Sequence, residues 1–273
     1  MKIDILSDLH FDFWQKPNKK KVQGQLRREL DGLLDKDPEV EVLIVAGDLG
    51  HYNNQAFVLL QDIAKEFNYK KIFCVLGNHD YYLISKTQEH NYQKSSKNRE
   101  KDWYDYKDEN GIVQILNGEI VEYQGVKFGG AMGWYDGSYM LEPNMYGRSV
   151  VQEWKDTMTD ARLIMGMGDF YDMSLRELPK FERILDADVI ITHFCPLSER
   201  IAFQEKYQYQ SASKFYCFDG EKYLKKTNAK FLIYGHSHGH HEFTVHGTRC
   251  IMNALGYPME FPGYKKTQIT MEK

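Results

Sequence analysis

The sequence predicts an α/β fold built around a parallel β-sheet. Short apolar runs rich in Ile, Val, Leu and Phe, each typical of a buried strand, alternate with amphipathic helical patterns along the early part of the chain. Parallel strands need a crossover connection, which is usually a helix, so this alternation favours a parallel sheet. Several apolar runs also end in Asp, Asn or His, and the carboxyl ends of strands are where open α/β sheets bind ligands.

The first elements follow a strand–helix order. The apolar run at 2–7 predicts a strand, and leucines at helical spacing, such as Leu26, Leu30 and Leu33, predict a helix at 22–36. The same patterns predict a strand at 41–46, a helix at 55–67 and a strand at 71–76. This part of the chain therefore supplies the strands and crossover helices of one sheet.

The rest of the chain mixes polar and apolar residues. Residues 81–110 combine aromatic and charged side chains and are expected to be helical in part, whereas 112–134 return to strands that begin a second sheet. A Met- and aromatic-rich segment at 135–180 shows no clear strands. Further strands are predicted at 188–193, 230–238 and 242–253. We expect a single domain over 1–273, with insertions at about 81–110 and 135–180.

The composition argues against several classes of protein. The formal net charge of −4 over 273 residues gives no general attraction to nucleic acid or anionic membranes, and no apolar stretch is long enough to cross a bilayer. The chain begins a strand without a signal-peptide pattern. Cys74, Cys195, Cys217 and Cys250 lack CxxC spacing. Cys74 lies in an apolar run and Cys250 in a predicted strand, so we expect buried thiols at these two positions, a cytoplasmic location and no membrane partner.

The polar residues at the strand ends are of metal-ligand types. Asp8 and His10 are separated by one residue. Alternate residues of an extended strand point to the same side, so both side chains could bind one ion. The candidate ligands are Asp8, His10, Asp48, Asn78, His193, His236 and His238. Carboxylate, imidazole and amide donors without thiolate suit Mn²⁺, with Fe, Zn²⁺, Ni²⁺ or Co²⁺ as alternatives.

A pair of divalent metals at these strand ends would favour phosphate chemistry. Asp48 can bridge two ions, and the ions bring more positive charge than Asp8 and Asp48 neutralise, which attracts an anion such as phosphate. Two metals about 3.5–4 Å apart also acidify a water. His79 is then the candidate general acid, and Asp80 follows where its carboxylate could pair with the imidazole. The candidate substrate-binding residues are Asn78, His79 and His51.

These motifs carry a family resemblance. They are, in chain order, D-x-H at 8–10, GD at 47–48, GNHD at 77–80, an isolated His at 193 and GHSH at 235–238. This order, which covers almost the whole chain, resembles the calcineurin-like metallophosphoesterase superfamily. The resemblance implies a four-layer α/β/β/α sandwich of two mixed sheets. The stretch 253–257 also looks like the Asn…Gly-Tyr segment that often closes this domain in small bacterial members.

The resemblance also assigns roles to the candidate residues. It implies that one metal is held by Asp8, His10, Asp48 and His238. It implies that the second is held by Asp48, Asn78, His193 and His236, so that Asp48 bridges the two. His79 is similar to the family's catalytic acid. The implied reaction is hydrolysis of a phosphomonoester or phosphodiester by hydroxide held on the metals, with His79 protonating the leaving oxygen.

One departure from the family narrows the expected substrate. The protein Ser/Thr phosphatase branch carries an arginine just after GD and another just before GNH, whereas this chain reads GDLGHYNNQ and CVLGNHD there. A small soluble phosphoester or nucleotide is therefore expected rather than a phosphoprotein. Two alternatives stay open: a nuclease or phosphodiesterase whose aromatics at 81–110 stack nucleobases, and a non-catalytic scaffold that binds a protein partner. The oligomeric state is also open.

Overall fold

The elements follow the predicted strand–helix order through the first part of the chain. The computed structural model of the protein describes residues 1–139, 150–198, 210–260 and 265–272, so residues 140–149 of the 135–180 segment lie outside it. The strands are β1 Lys2–Leu6, β2 Val40–Ala46, β3 Lys71–Val75, β4 Val113–Ile115, β5 Glu119–Tyr123, β6 Val126–Gly130, β7 Val189–Ile191, β8 Phe231–Tyr234, β9 His240–Val245, β10 Thr248–Asn253 and β11 Gln268–Thr270. The α-helices are α1 Phe11–Trp14, α2 Gly24–Leu33, α3 Asn53–Phe67, α4 Lys86–Asn91, α5 Ser96–Asp105, α6 Val150–Thr157, α7 Asp160–Leu163, α8 Phe170–Arg183 and α9 Glu221–Leu224.

The strands form two mixed sheets. The first is a 5-stranded sheet in the order β11-β1-β2-β3-β4, parallel except for β11, which pairs antiparallel with β1. The second is a 6-stranded sheet in the order β5-β6-β7-β8-β10-β9, in which the outer strands β5 and β9 are antiparallel to their neighbours. Helices α2 and α3 lie between consecutive parallel strands of the first sheet, as crossover connections require.

The two sheets pack face to face, with helices on the outer faces. Ile44 of β2 and Ile233 of β8 belong to one buried apolar cluster, and the rings of Phe73 and Phe128 stack across the sheets with centroids 4.5 Å apart. Alternate residues such as Leu43 face the other way and pack with the buried faces of α2 and α3. This arrangement confirms the α/β/β/α sandwich of two mixed sheets.

The boundary between the sheets differs from the prediction. Strand β4 lies beside β3, with Ile72 opposite Val113, so the first part of the 112–134 segment completes the first sheet and the second sheet begins at Glu119. A short apolar strand carries no signal for which sheet it joins, because both sheets offer the same kind of apolar face. The short helix α1 and strand β11 were also missed, since each is too short for a periodic pattern.

The two insertions are largely helical where they are described. Helices α4 and α5 are capped at their N-termini by Ser85 and Ser95, whose side chains accept hydrogen bonds from the backbone N–H of Gln88 and Asn98. The expectation of partly helical structure at 81–110 is therefore confirmed. The described part of 135–180 contains α6, α7 and α8 and no strand, as predicted.

Two further findings concern the membrane and thiol expectations. No described helix has the length and apolar character needed to cross a membrane. Cys74 and Cys250 are buried free thiols, as predicted, and Cys195 and Cys217 are buried free thiols as well. The cytoplasmic location stays a prediction.

Candidate metal centre

The structure brings the candidate ligands of the strand ends together into two groups. One group is Asp8, His10, Asp48 and His238, and the other is Asp48, His193 and His236; within each group the donor atoms lie within 4.8 Å of one another. These residues follow β1, β2, β7 and β8, at the carboxyl ends of strands of both sheets. Asp48 belongs to both groups, in the position expected of a bridging ligand.

The backbone at these strand ends is left-handed rather than extended. Asp8, His10, Asp48, His236 and His238 all have positive φ angles, between 41° and 74°. The expectation that Asp8 and His10 continue an extended strand is therefore wrong, because each turns the chain sharply. Non-glycine residues rarely adopt this conformation, which costs about 1–3 kcal/mol each, and such residues cluster at functional sites.

Asn78 presents its amide oxygen to two of the imidazoles. Its Nδ2 donates to the carboxylate of Asp160 at 2.9 Å and to the hydroxyl of Tyr82 at 2.9 Å, which fixes the orientation of the amide. Its Oδ1 then lies 3.1 Å from Nε2 of His193 and 3.2 Å from Nδ1 of His236. Sequence reasoning missed Asp160, a buried residue of helix α7 with no motif around it.

Nε2 of His193 faces two oxygen acceptors without a proton to share. Nδ1 of His193 lies 2.9 Å from the carbonyl oxygen of Ala46, and a carbonyl only accepts, so this nitrogen carries the proton and Nε2 carries a lone pair. That lone pair lies 3.5 Å from Oδ1 of Asp48 and faces Oδ1 of Asn78. Lone pairs gathered in this way are stabilised by a cation between them, so the donor set fits a divalent metal.

The protonation states also suit metal binding. Burial lowers the pKa of His10 well below its ordinary value, and the neighbouring imidazoles lower that pKa further. Burial likewise lowers the pKa of His193 and of His236. Burial and the carboxylate of Asp8 raise the pKa of Asp48 well above its ordinary value. Neutral imidazoles are the ligand form of histidine, and a cation would relieve the crowding of the two carboxylates.

Two motif glycines make room for the ligands. A Cβ at Gly77 would lie 2.2 Å from Oδ1 of Asp48. A Cβ at Gly47, whose φ is +87°, would lie 2.4 Å from Nδ1 of His193. The glycines of the GD and GNHD motifs therefore permit a close approach that any other residue would block.

His79 lies at the edge of the ligand cluster. Its backbone N–H donates to Oδ1 of Asp48 at 2.9 Å, and its Nε2 lies 4.0 Å from Oδ2 of Asp48 and 3.3 Å from the hydroxyl of Tyr257. Its Nδ1 lies 3.0 Å from Nε2 of His51. The imidazole therefore turns Nε2 towards the open side of the site and Nδ1 towards the protein.

The expected pairing of Asp80 with His79 is wrong. The Asp80 carboxylate accepts hydrogen bonds from the backbone N–H of Gly77 at 2.8 Å, Leu49 at 3.1 Å and Gly50 at 3.1 Å. Because Asn78–Tyr81 form a 3₁₀ turn, the side chains of Asp80 and its neighbour His79 point in different directions. Asp80 thus joins the GD and GNHD loops, and burial raises its pKa to about 6.

His51 contacts His79 and Asp12 rather than the open side of the site. Its Nδ1 lies 2.8 Å from Oδ2 of Asp12, and its other nitrogen faces His79. Burial alone would raise the pKa of Asp12, but the hydrogen bonds from His51 outweigh burial and leave that pKa below its ordinary value. Asp12 was not predicted, although it follows the D-x-H motif by two residues.

A cleft of about 300 Å³ opens over the cluster. Its described lining includes Asp48, Asn78, His79, Tyr82, Thr157, Met158, Thr159, Ala212, Tyr216, His236, Ser237, His238, Tyr257 and Glu260. The residues from 157 to 159 and 212 to 216 were not predicted, because they come from segments without a motif. Oε2 of Glu260 lies 2.5 Å from Nδ1 of His238, which orients that ring.

Comparison with known families agrees with this geometry. The family model of the calcineurin-like phosphoesterases matches residues 1–240, which contain every predicted ligand. The chain belongs to the calcineurin-like phosphoesterase family. It is accordingly a phosphoric ester hydrolase, and the resemblance of its motifs is confirmed.

Solved structures similar to this phosphoesterase include two hydrolases. The phosphopantetheinyl hydrolase PptH from Mycobacterium tuberculosis is 16% identical, with a TM-score of 0.68, over 99% of this chain and 96% of that one. A putative 5′-nucleotidase from Staphylococcus aureus is 13% identical, with a TM-score of 0.38, over 94% of this chain and 48% of that one. The first similarity supports the fold. No curated protein matches the chain significantly.

Proposed function

We propose that this phosphoesterase uses two divalent metals to hydrolyse a small phosphomonoester or phosphodiester, with His79 as general acid. The observation that carries the proposal is the pair of donor groups that share Asp48, beside which Nε2 of His79 faces the open side of the site. Shared-carboxylate pairs of this kind are typical of two-metal hydrolytic sites.

The donors divide between the two proposed ions as the family resemblance implies. Asp8, His10, Asp48 and His238 would hold one, and Asp48, His193, His236 and the Asn78 amide would hold the other. The bound pair would supply positive charge to the phosphate oxygens and make a water a better nucleophile. Mn²⁺ is the first expectation, with Fe, Zn²⁺, Ni²⁺ and Co²⁺ as alternatives, because the donors mix oxygen and imidazole without thiolate.

The protein's own contribution centres on His79. Its backbone N–H bond to Asp48 places the residue beside the metal ligands, and Nε2 of its ring lies 4.0 Å from Oδ2 of Asp48, where a leaving oxygen would need a proton. A proton donated from Nε2 neutralises the leaving alkoxide, and this type of catalysis contributes roughly 10²–10⁴-fold. The Asn78 amide, held by Asp160 and Tyr82, keeps its oxygen towards the ligands.

The lining of the cleft favours a small substrate over nucleic acid. None of the described residues that line it is Lys or Arg, whereas proteins that follow a nucleic-acid backbone neutralise phosphates with such residues. Glu260 adds an acidic group at the same cleft. A soluble phosphoester or nucleotide is therefore the proposed substrate, and phosphate binding would depend on the metals.

Replacement of His79 by Ala tests the general acid. We expect the variant to retain its metal, since His79 is not among the donors, while kcat for an alkyl phosphate falls by roughly 10²–10⁴-fold. Metal analysis of the purified protein and steady-state kinetics on Mn²⁺-loaded enzyme measure both effects. The matched control is His90→Ala, because His90 is an exposed histidine of helix α4. Alkyl phosphate hydrolysis that is equal in His79→Ala and His90→Ala would overturn the assignment.

A substrate panel separates the alternatives. It should pair phosphomonoesters with phosphodiesters and include nucleotides, a phosphopantetheinyl ester and single-stranded oligonucleotides. Hydrolysis of small esters with stoichiometric metal supports the proposal, whereas a strong preference for oligonucleotides supports a nuclease. Purified protein that binds no stoichiometric transition metal and hydrolyses no ester would instead favour the scaffold.

A further inference from the structure

A chain of three side chains connects helix α1 to the cleft. Oδ2 of Asp12 lies 2.8 Å from Nδ1 of His51, and Nε2 of His51 lies 3.0 Å from Nδ1 of His79. Oδ1 of Asp12 also accepts the backbone N–H of His51 at 2.9 Å. The side chains of His51 and Asp12 are only 7% and 10% exposed, so these contacts compete little with water.

Gly50, which precedes His51, leaves space for the Asp12 carboxylate. Gly50 has a φ of +145°, and a Cβ there would lie 2.8 Å from Oδ1 of Asp12, so a larger residue would displace the carboxylate. The ring of Tyr82 stacks on His51 at an interplanar angle of 17° and lies 4.5 Å from the ring of His79, centroid to centroid. Both imidazoles are therefore held in place by packing as well as by hydrogen bonds.

The contacts define which nitrogen of each ring carries a proton. A carboxylate accepts hydrogen bonds and does not donate them, so Nδ1–H of His51 donates to Asp12. Nε2 of the neutral His51 ring is then an acceptor, and Nδ1–H of His79 donates to it. In this arrangement Nδ1–H of His79 stays bonded to His51, so Nε2 is the nitrogen that takes up a proton from solvent to form the imidazolium and then gives that proton to the leaving oxygen.

We infer that Asp12 and His51 are positioning residues that fix the orientation and tautomer of His79. The inference rests on the proposed function, because it requires His79 to act as the general acid. His51, expected from the sequence to contact substrate, acts through His79 instead. Other hydrolases use a carboxylate to orient a catalytic imidazole. In this protein the imidazole of His51 lies between the Asp12 carboxylate and the His79 ring.

The first test replaces Asp12 by Asn, which keeps the shape of the side chain. The amide nitrogen of Asn donates, so it favours the opposite tautomer of His51 and removes the acceptor that His79 requires. We expect kcat for an alkyl phosphate to fall by about 10–100-fold, with little change in KM. Hydrolysis of 4-nitrophenyl phosphate should fall much less, because its leaving group needs little protonation. Asp186→Asn, at an exposed aspartate, is the matched control.

A second set of variants separates positioning from a general structural effect. His51→Gln can still donate to Asp12 and accept from His79, so it should retain more activity than His51→Ala. In a His79→Ala background, Asp12→Asn should cause no further loss of kcat, because the residue that it positions is absent. A loss that is equal for both esters, or that adds to His79→Ala, would overturn the inference.

A spectroscopic measurement does not depend on turnover. In protein with ¹⁵N-labelled histidine, two-bond ¹H–¹⁵N correlation spectra should show His79 protonated at Nδ1 in the wild type and a changed tautomer in Asp12→Asn. An unchanged His79 tautomer in that variant would also overturn the inference. A wild-type enzyme that hydrolyses no ester would instead refute the proposed function, and the spectra would still report whether Asp12 sets the tautomer.

Discussion

Replacing Asp48 by Asn is expected to remove bound metal and nearly abolish phosphoester hydrolysis. Oδ1 of Asp48 lies 3.5 Å from Nε2 of His193, and Oδ2 lies 3.6 Å from Nε2 of His10, so each oxygen faces a different donor group. Asn offers one neutral oxygen and cannot serve both. We expect kcat/KM to fall by roughly 10³-fold, equivalent to about 4 kcal/mol of transition-state stabilisation.

The same substitution should have the opposite effect on the metal-free protein. Burial and the nearby carboxylate of Asp8 raise the pKa of Asp48, so its ionised form is disfavoured in the folded state. Asn removes that charge, and in excess chelator the variant should unfold at a temperature no lower than the wild type. With metal added, the order should reverse, because only the wild type gains binding energy.

Thermal unfolding with and without metal, together with metal analysis, measures both parts of this prediction. Asp186→Asn serves again as the control at an exposed site. Full metal content and wild-type turnover in Asp48→Asn would show that Asp48 does not bridge two ions. A variant that is less stable than wild type in chelator would show that the carboxylate stabilises the fold without metal.

The strand-end residues could be predicted because their signal is local. Each follows an apolar run, and parallel strands that end on one edge of a sheet bring such residues together whatever the details of the loops. The grouping of Asp48 with ligands as distant in sequence as His238 was implied by the family resemblance, and the fold brings these residues together. The left-handed backbone of residues such as Asp8 could not be predicted, because it is imposed by the surrounding packing.

The partner of His79 shows the limit of local reasoning. Asp80 is adjacent in sequence and has the right chemistry, but the 3₁₀ turn directs its carboxylate to backbone N–H groups instead. His51 reaches His79 from the loop after β2, and Asp12 of helix α1 in turn contacts His51. Only the packed fold brings these segments together. Sequence proximity therefore suggested the wrong carboxylate for a contact that the tertiary structure supplies.

Aromatic residues of the 81–110 segment, which the sequence also allowed to stack nucleobases, make packing contacts within the fold. Trp103 of α5 is 1% exposed and its Nε1 donates to the carbonyl of Asp80 at 3.0 Å. The rings of Phe57 and Tyr106 stack with centroids 3.5 Å apart. These aromatics hold α5 against helix α3 and the GNHD turn.

Arg99 of the same helix is expected to be the largest single contributor to stability among these contacts. Its guanidinium is fully buried and donates to the carbonyl of His79 at 3.0 Å, to the carbonyl of Gly50 at 2.7 Å and to the carbonyl of Tyr82. Its Nε donates to Oδ1 of Asn53 at 2.9 Å. One side chain therefore ties the loop that carries His51 to the turn that carries His79.

Replacement of Arg99 by Met, which is unbranched and uncharged, should reduce the free energy of unfolding by about 3–5 kcal/mol. The change leaves the buried carbonyls of Gly50 and Tyr82 without the donor that Arg99 supplies and removes the positive charge that faces the buried carboxylate of Asp80. Arg99→Lys should lose less, because it keeps the charge but cannot satisfy several carbonyls at once. Urea denaturation of the three proteins, with Arg28→Met at an exposed arginine as control, measures the difference. Equal stability of Arg99→Met and Arg28→Met would mean that the loops of the catalytic site hold together without Arg99.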